Sequence, residues 1–234
     1  MMTHVFLLSI FETFMKFKSA ALIGFLVAAP LAHAEAATVG VKWASFMPAE
    51  ATNSESPNLD NAETGFGVEF NLEHSVPFLP NIQIDSTEIE GQDFKYLSTN
   101  ASAYYSLVDY NMVGLDLGLG ITSLHSGKVG NLKNSIGLGD SKSFDEIGGH
   151  IYASGEFSMP FMPSLAIVAS AKKSISSDLK GTDIKLAAQY THSVTNFDLV
   201  LQGGFRDVSH EVMVQDVDHK FDSKGLFASV GVKF

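Results

Sequence analysis

The sequence predicts an all-β protein, one antiparallel up-and-down transmembrane β-barrel of about ten strands, and three observations predict it. Apolar residues recur at every second position over most of the chain beyond residue 35. The connections between these segments alternate between short turns and longer polar stretches. The chain ends on Phe234, with apolar side chains at every second position back to Leu226. Composition narrows the chemistry further. The net charge is −11 and the basic residues are scattered, which leaves no concentrated positive surface and excludes a nucleic-acid partner. There is no cysteine, so thiolate nucleophiles, Cys-ligated zinc and disulfides are excluded as well.

Residues 1–34 read as an upstream extension plus a signal peptide. From Met15, Lys16 and Lys18 precede an apolar run from Ala20 to Ala29, then Pro30 and the triplet Ala32-His33-Ala34. That order is a secretory signal with cleavage after Ala34. The apolar run is too short for a membrane helix, which needs about 20 residues. Translation from Met15 leaves residues 1–14 outside the natural product, and residues 35–234 form the barrel.

Strands are expected near 37–47, 64–74, 81–90, 93–107, 112–124, 144–157, 164–174, 180–192, 196–209 and 220–234. The cleanest has Val113, Leu115, Leu117, Leu119 and Ile121 on one face, against Gly114, Asp116, Gly118, Gly120 and Thr122 on the other. Phe66, Val68, Phe70 and Leu72 alternate with Gly67, Glu69, Asn71 and Glu73 in the same way. The better segments reach the roughly 9–11 residues of a tilted membrane strand. Short links fall at 75–80, 108–111, 158–163 and 193–195, and longer polar ones at 47–63, 125–143 and 210–219. This is the asymmetry of periplasmic turns and extracellular loops in a bacterial outer-membrane barrel. The brief connection near Gly91 departs from it.

The non-apolar face carries Glu69, Glu73, Asp116, His150, Glu156, Lys172, Lys185, Asp198, Arg206 and Lys233, with many glycines. A soluble exterior would hold charge more densely and less glycine, so this face reads as a crowded polar lumen. In a barrel of about ten strands opposite walls meet, and Glu69, Asp116, Glu156 and Asp198 are expected to pair with Lys172, Lys185, Arg206 and Lys233. His150 shares that lumen network. Trp43, Tyr96, Tyr104, Tyr105, Phe78 and Phe161 lie near strand ends, where interfacial aromatic girdles sit. The alternating Leu226, Ala228, Val230, Val232 and Phe234 resemble the C-terminal assembly signal of outer-membrane proteins.

Three stretches carry a broader likeness. They are Glu73-His74-Ser75-Val76-Pro77-Phe78-Leu79-Pro80-Asn81-Ile82, the segment from Tyr104-Tyr105 to Gly118 with its Asp116-Leu117-Gly118-Leu119 core, and Val232-Lys233-Phe234. Together they resemble an uncharacterised family of proteobacterial outer-membrane β-barrel proteins, over nearly all of the chain beyond the signal. The resemblance implies the fold and the outer-membrane address, and no catalytic residues.

The chemistry on offer is sparse. His150, Tyr152, Ser154 and Glu156 share one face, and such residue types could serve a lipid hydrolase with His as base for a Ser nucleophile. A structural network is the expected role. Asp207, His210, Glu211, Asp216, Asp218, His219 and Asp222 are expected as an acidic loop, its spacing matching no calcium or zinc motif. The expectation is therefore a non-enzymatic integral outer-membrane protein of a Gram-negative cell, without cofactor, metal or catalytic site. It would act as a scaffold or surface-contact protein, or as a narrow porin-like channel with a largely filled lumen. Its partners would be outer-membrane lipid and, during biogenesis, the barrel assembly machinery and periplasmic chaperones. The alternatives are a lipid-modifying enzyme using His150 or His74, and a secreted lipocalin-like ligand-binding barrel.

Overall fold

A computed structural model describes residues 37–55, 62–76, 78–110, 112–130 and 141–234. The signal-peptide reading of residues 1–34 lies outside the described residues, as do residues 56–61 of the expected loop at 47–63 and residues 131–140 of that at 125–143. Ten strands follow one another: β1 (Ala37–Asn53), β2 (Gly65–His74), β3 (Asn81–Glu90), β4 (Phe94–Tyr110), β5 (Val113–Val129), β6 (Lys142–Met159), β7 (Met162–Ser174), β8 (Leu179–Val194), β9 (Phe197–Val214) and β10 (Val217–Lys233). Each pairs antiparallel with its sequence neighbours, and β1 pairs with β10 to close the barrel. The seam runs from Gly40 opposite Lys233 to Asn53 opposite Phe221, with one shift of register between Pro48 and Glu50. Phe234 and Val39 complete it by exchanging both main-chain hydrogen bonds. Each strand is thereby paired on both sides over part of its length.

The strands run between a terminal end, which holds Ala37 and Lys233, and a far end. Over the terminal half the apolar side chains face outward and the polar ones inward. Leu199, Leu201 and Phe205 of β9 and Leu226, Val230 and Phe234 of β10 point outward, while Asp198, Gln202, Arg206 and Lys233 point in. Toward the far end the two faces exchange character. On the same strands Asp207, Glu211, Lys220 and Lys224 now lie outside, and Val208, Val212, Val214 and Phe221 are buried inside. The far half thus encloses an apolar core, in which Phe94 stacks on Phe221 at 4.7 Å between centroids, beside Tyr96, Phe144 and Leu179.

This exchange explains where the strands outrun the sequence expectation. β1, β5, β9 and β10 extend beyond it at the far end. In β1 a bulge between Pro48 and Glu50 moves the inward phase from even to odd residues, and in β5 a bulge between Leu124 and Gly127 does the same. The extra residue breaks period two in the sequence without ending the strand. In β9 and β10 the period is unbroken but its polarity reverses. The expected loop at 210–219 is therefore a correction: it is strand up to Val214 and from Val217, joined by a two-residue turn. Both turn residues, Gln215 and Asp216, have positive φ, 51° and 64°, as the tight hairpin turn matched to strand twist requires. The far-end connections at 91–93 and 175–178 are short as well.

The aromatic expectation divides. Tyr105, Phe78 and Phe161 are exposed at the terminal end, where the Tyr105 hydroxyl donates to the Phe78 carbonyl at 2.9 Å. Tyr96 and Tyr104 instead face inward and are buried. Trp43 is outward but mid-strand, opposite Val68 and Val230.

Candidate functional site in the barrel lumen

The lumen holds three tiers, and parity decides what enters each. Uppermost is the apolar core. Below it lies a layer of buried charges from β3, β7, β8 and β9. Arg206 makes a forked pair with Asp183, 2.9 Å from Nε and 2.8 Å from Nη2, and its guanidinium lies 5.3 Å from the Phe46 ring centroid. Lys172 donates to Asp85, and both are nearly inaccessible. The planar fork satisfies both carboxylate oxygens of Asp183, which is what makes a dehydrated pair tolerable.

His150, 1% exposed, joins this layer through a directional chain. The Asn100 amide donates to Asp85 at 2.9 Å, so its carbonyl faces Thr122 and accepts from Oγ1 at 2.8 Å. Thr122 has given its one proton away, so it accepts from His150 Nδ1 at 2.8 Å, and His150 Nε2 then accepts from Ser102 Oγ at 2.9 Å. The imidazole is fixed as the neutral Nδ1–H tautomer. Gly118 and Gly120 make room for these walls to meet: a Cβ on Gly118 would fall 2.7 Å from the Tyr104 side chain, and one on Gly120 would fall 2.5 Å from His150 Nε2. A serine hydroxyl donating to a histidine has the form of a nucleophile and its base. Here it is walled in, and the adjoining space of about 10 Å³ is of the order of one water.

The third tier is a polar cavity of about 490 Å³ in the terminal half, extending to rim residues Thr38, Asp109 and Met112. Lys42 bonds Glu69 at 2.8 Å, Lys185 lies 3.8 Å from the other oxygen of Glu69, and Lys233 meets Glu73 at 3.1 Å. Asp116 accepts from Ser106 at 2.7 Å and Ser154 at 2.6 Å. Glu156 accepts from Ser158 and, at 3.5 Å, from Gln189.

Every charged residue expected in the lumen faces it, and the expected Glu69–Lys185 pair is present at 3.8 Å, but the other partners differ from those expected. Lys172 and Arg206 pair with Asp85 and Asp183, two carboxylates not included in the expected network, and Asp116 and Glu156 are held by hydroxyls and an amide rather than by lysines. His150, Ser154 and Glu156 share a face without assembling: Ser154 serves Asp116, Tyr152 packs on Tyr104, and His150 turns to Ser102 and Thr122. Ser102, Thr122 and Asn100 were visible only as the polar phase of their strands. His74 braces a turn, Nδ1 accepting from the Val76 amide and Nε2 donating to the Pro80 carbonyl at 3.1 Å.

The expected acidic loop is dispersed by the strands it belongs to. His210 and His219 turn inward, His210 to the Tyr96 hydroxyl at 3.0 Å and His219 to Asn53 at 3.2 Å, whereas Asp207, Glu211, Asp218 and Asp222 turn outward. Among the described residues no group of three or more His, Asp and Glu could hold a metal ion. Leu226, Ala228, Val230, Val232 and Phe234 form one outward stripe beside the seam, and Lys233 between them points inward.

No protein-family model matches the chain, and no curated protein matches it. Among solved structures it is similar to Neisserial surface protein A, with 18% identity over 85% of this chain and 97% of that one and a TM-score of 0.35. It is also similar to the outer membrane protease OmpT from Escherichia coli, with 10% identity, 86% and 97% coverage and a TM-score of 0.37. No residue role passes from either to this chain, which is an all-β, closed, ten-stranded antiparallel up-and-down barrel in its own right.

Proposed function

We propose that the protein is an integral outer-membrane β-barrel of a Gram-negative cell, non-enzymatic, acting as a surface-contact scaffold. The observation that carries the reading is the exchange of polarity along single strands. An outward apolar girdle over the terminal half fits hydrocarbon, and a charged outer wall around an apolar core fits water beyond it. The terminal end then faces the periplasm, and the far end projects outward as a rigid collar available for contact.

Two features favour a scaffold over a channel or an enzyme. The ion-pair layer and the aromatic core lie in series across the lumen, and the Ser102–His150 pair has no room for a substrate. Fractionation with the outer membrane and heat-modifiable migration are expected, together with no steady large conductance in planar bilayers and no turnover of labelled lipopolysaccharide or phospholipid. Recovery as a soluble periplasmic monomer would overturn the membrane reading in favour of the secreted barrel. Steady conductance would overturn the closed lumen. Lipid turnover abolished by His150→Ala or His74→Ala would overturn the non-enzymatic reading.

A further inference from the structure

The cavity in the terminal half has a balance of charge and hydrogen bonding that its own residues do not close. Its three lysines are engaged by Glu69 and Glu73. Asp116, Glu156 and Asp198 line the same space with no ion pair among the described residues. A fourth acceptor lines the same cavity, and unlike the three carboxylates it is buried: Gln83 is 6% exposed, and its Oε1 has no hydrogen-bond partner. What remains open is acceptor capacity and negative charge.

We propose that this cavity binds an aliphatic polyamine. An ammonium group offers three donors and no acceptor, which complements carboxylates and an amide oxygen. The carboxylates stand on β5, β6 and β9 and do not converge, whereas a metal ion needs its oxygens within about 2–2.6 Å of one point. Ammonium groups separated by methylenes can meet such carboxylates in turn, and Val168, Val200 and Phe227 in the same lining offer the methylenes apolar contact. The volume, about 490 Å³, falls within the roughly 300–1,000 Å³ of small-molecule pockets. The ion-pair layer closes the upper side, so the ligand enters and leaves at the terminal end. Entry from the periplasm rests on the membrane reading above; the binding itself does not.

The test is calorimetric titration of the full chain, folded in detergent micelles, with spermidine, using heat-modifiable migration to establish folding of every variant. Saturable one-to-one binding is expected. It should weaken by about tenfold or more in Asp116→Asn/Asp198→Asn, since each carboxylate supplies a charge-assisted hydrogen bond. Glu211→Gln, on the outer wall at the far end, should bind as the parent does. If the double variant does not fold, Asp198→Asn alone, changed at a residue that holds no ion pair, should still show weaker binding. Absence of saturable binding overturns the proposal, as does parental affinity in the folded cavity variants. Competition by magnesium chloride as effective as that of spermidine at matched ionic strength also overturns it, because a diffuse acidic surface would then suffice.

Discussion

Arg206 and Asp183 illustrate what a buried pair contributes and what its loss costs. Removing one partner leaves the other charged without compensation in a dry layer, so Asp183→Asn is expected to lower unfolding stability by about 3–5 kcal/mol. Asp198→Asn, in the open cavity, should change it by less than about 0.5 kcal/mol. Urea unfolding in micelles compares the two. Gly120→Ala should cost about 1–3 kcal/mol in the same assay, because its Cβ would meet the Ala101 carbonyl as well as His150. At this scale the sequence revealed faces but not partners. Asp85 and Asp183 lie on the inward face of β3 and β8, within the segments expected at 81–90 and 180–192, yet the expected lumen network includes neither of them. That Lys172 meets Asp85 rather than Glu69 depends on the stagger of strands around the barrel, which spacing along one strand does not encode.

At the scale of the element, the turn between β9 and β10 places two side-chain-bearing residues at positive φ, a conformation glycine adopts at little cost. Asp216→Gly is expected to stabilise the folded barrel by about 0.5–1 kcal/mol, measured as a shift in its urea midpoint. In β10, Phe234 points outward and Lys233 inward to Glu73. Phe234→Ser should reduce the yield of heat-modifiable barrel in cells far more than Lys233→Ser, and equal tolerance would mark the terminal stripe as incidental. Strand number and order were legible because period two persists for ten segments. Strand ends were not, since a bulge changes the phase in β1 and β5 and the face polarity reverses in β9 and β10. Both resemble a loop to a reader looking for one constant alternation.

For the molecule as a whole, β9 alone offers a test of depth. Leu201→Arg, in the outward apolar girdle, is expected to cost about 2–4 kcal/mol in lipid vesicles, and Ser209→Arg, eight residues further along the same face, about 0–1 kcal/mol. Equal costs would mean that no hydrocarbon boundary lies between them. The charged collar carries a further, kinetic consequence. In the membrane orientation proposed above, Lys95, Lys180, Lys220 and Lys224, with the carboxylates beside them, have to be carried through the hydrocarbon once to reach their place beyond the girdle. Every route into an intact bilayer from the periplasmic side therefore passes a high, charge-dominated barrier, and the same barrier opposes retreat. The collar is a latch as well as a surface. Insertion of the unfolded chain into preformed vesicles should be slow, should quicken as the bilayer is made thinner, and should be followed by no measurable release on the same time scale.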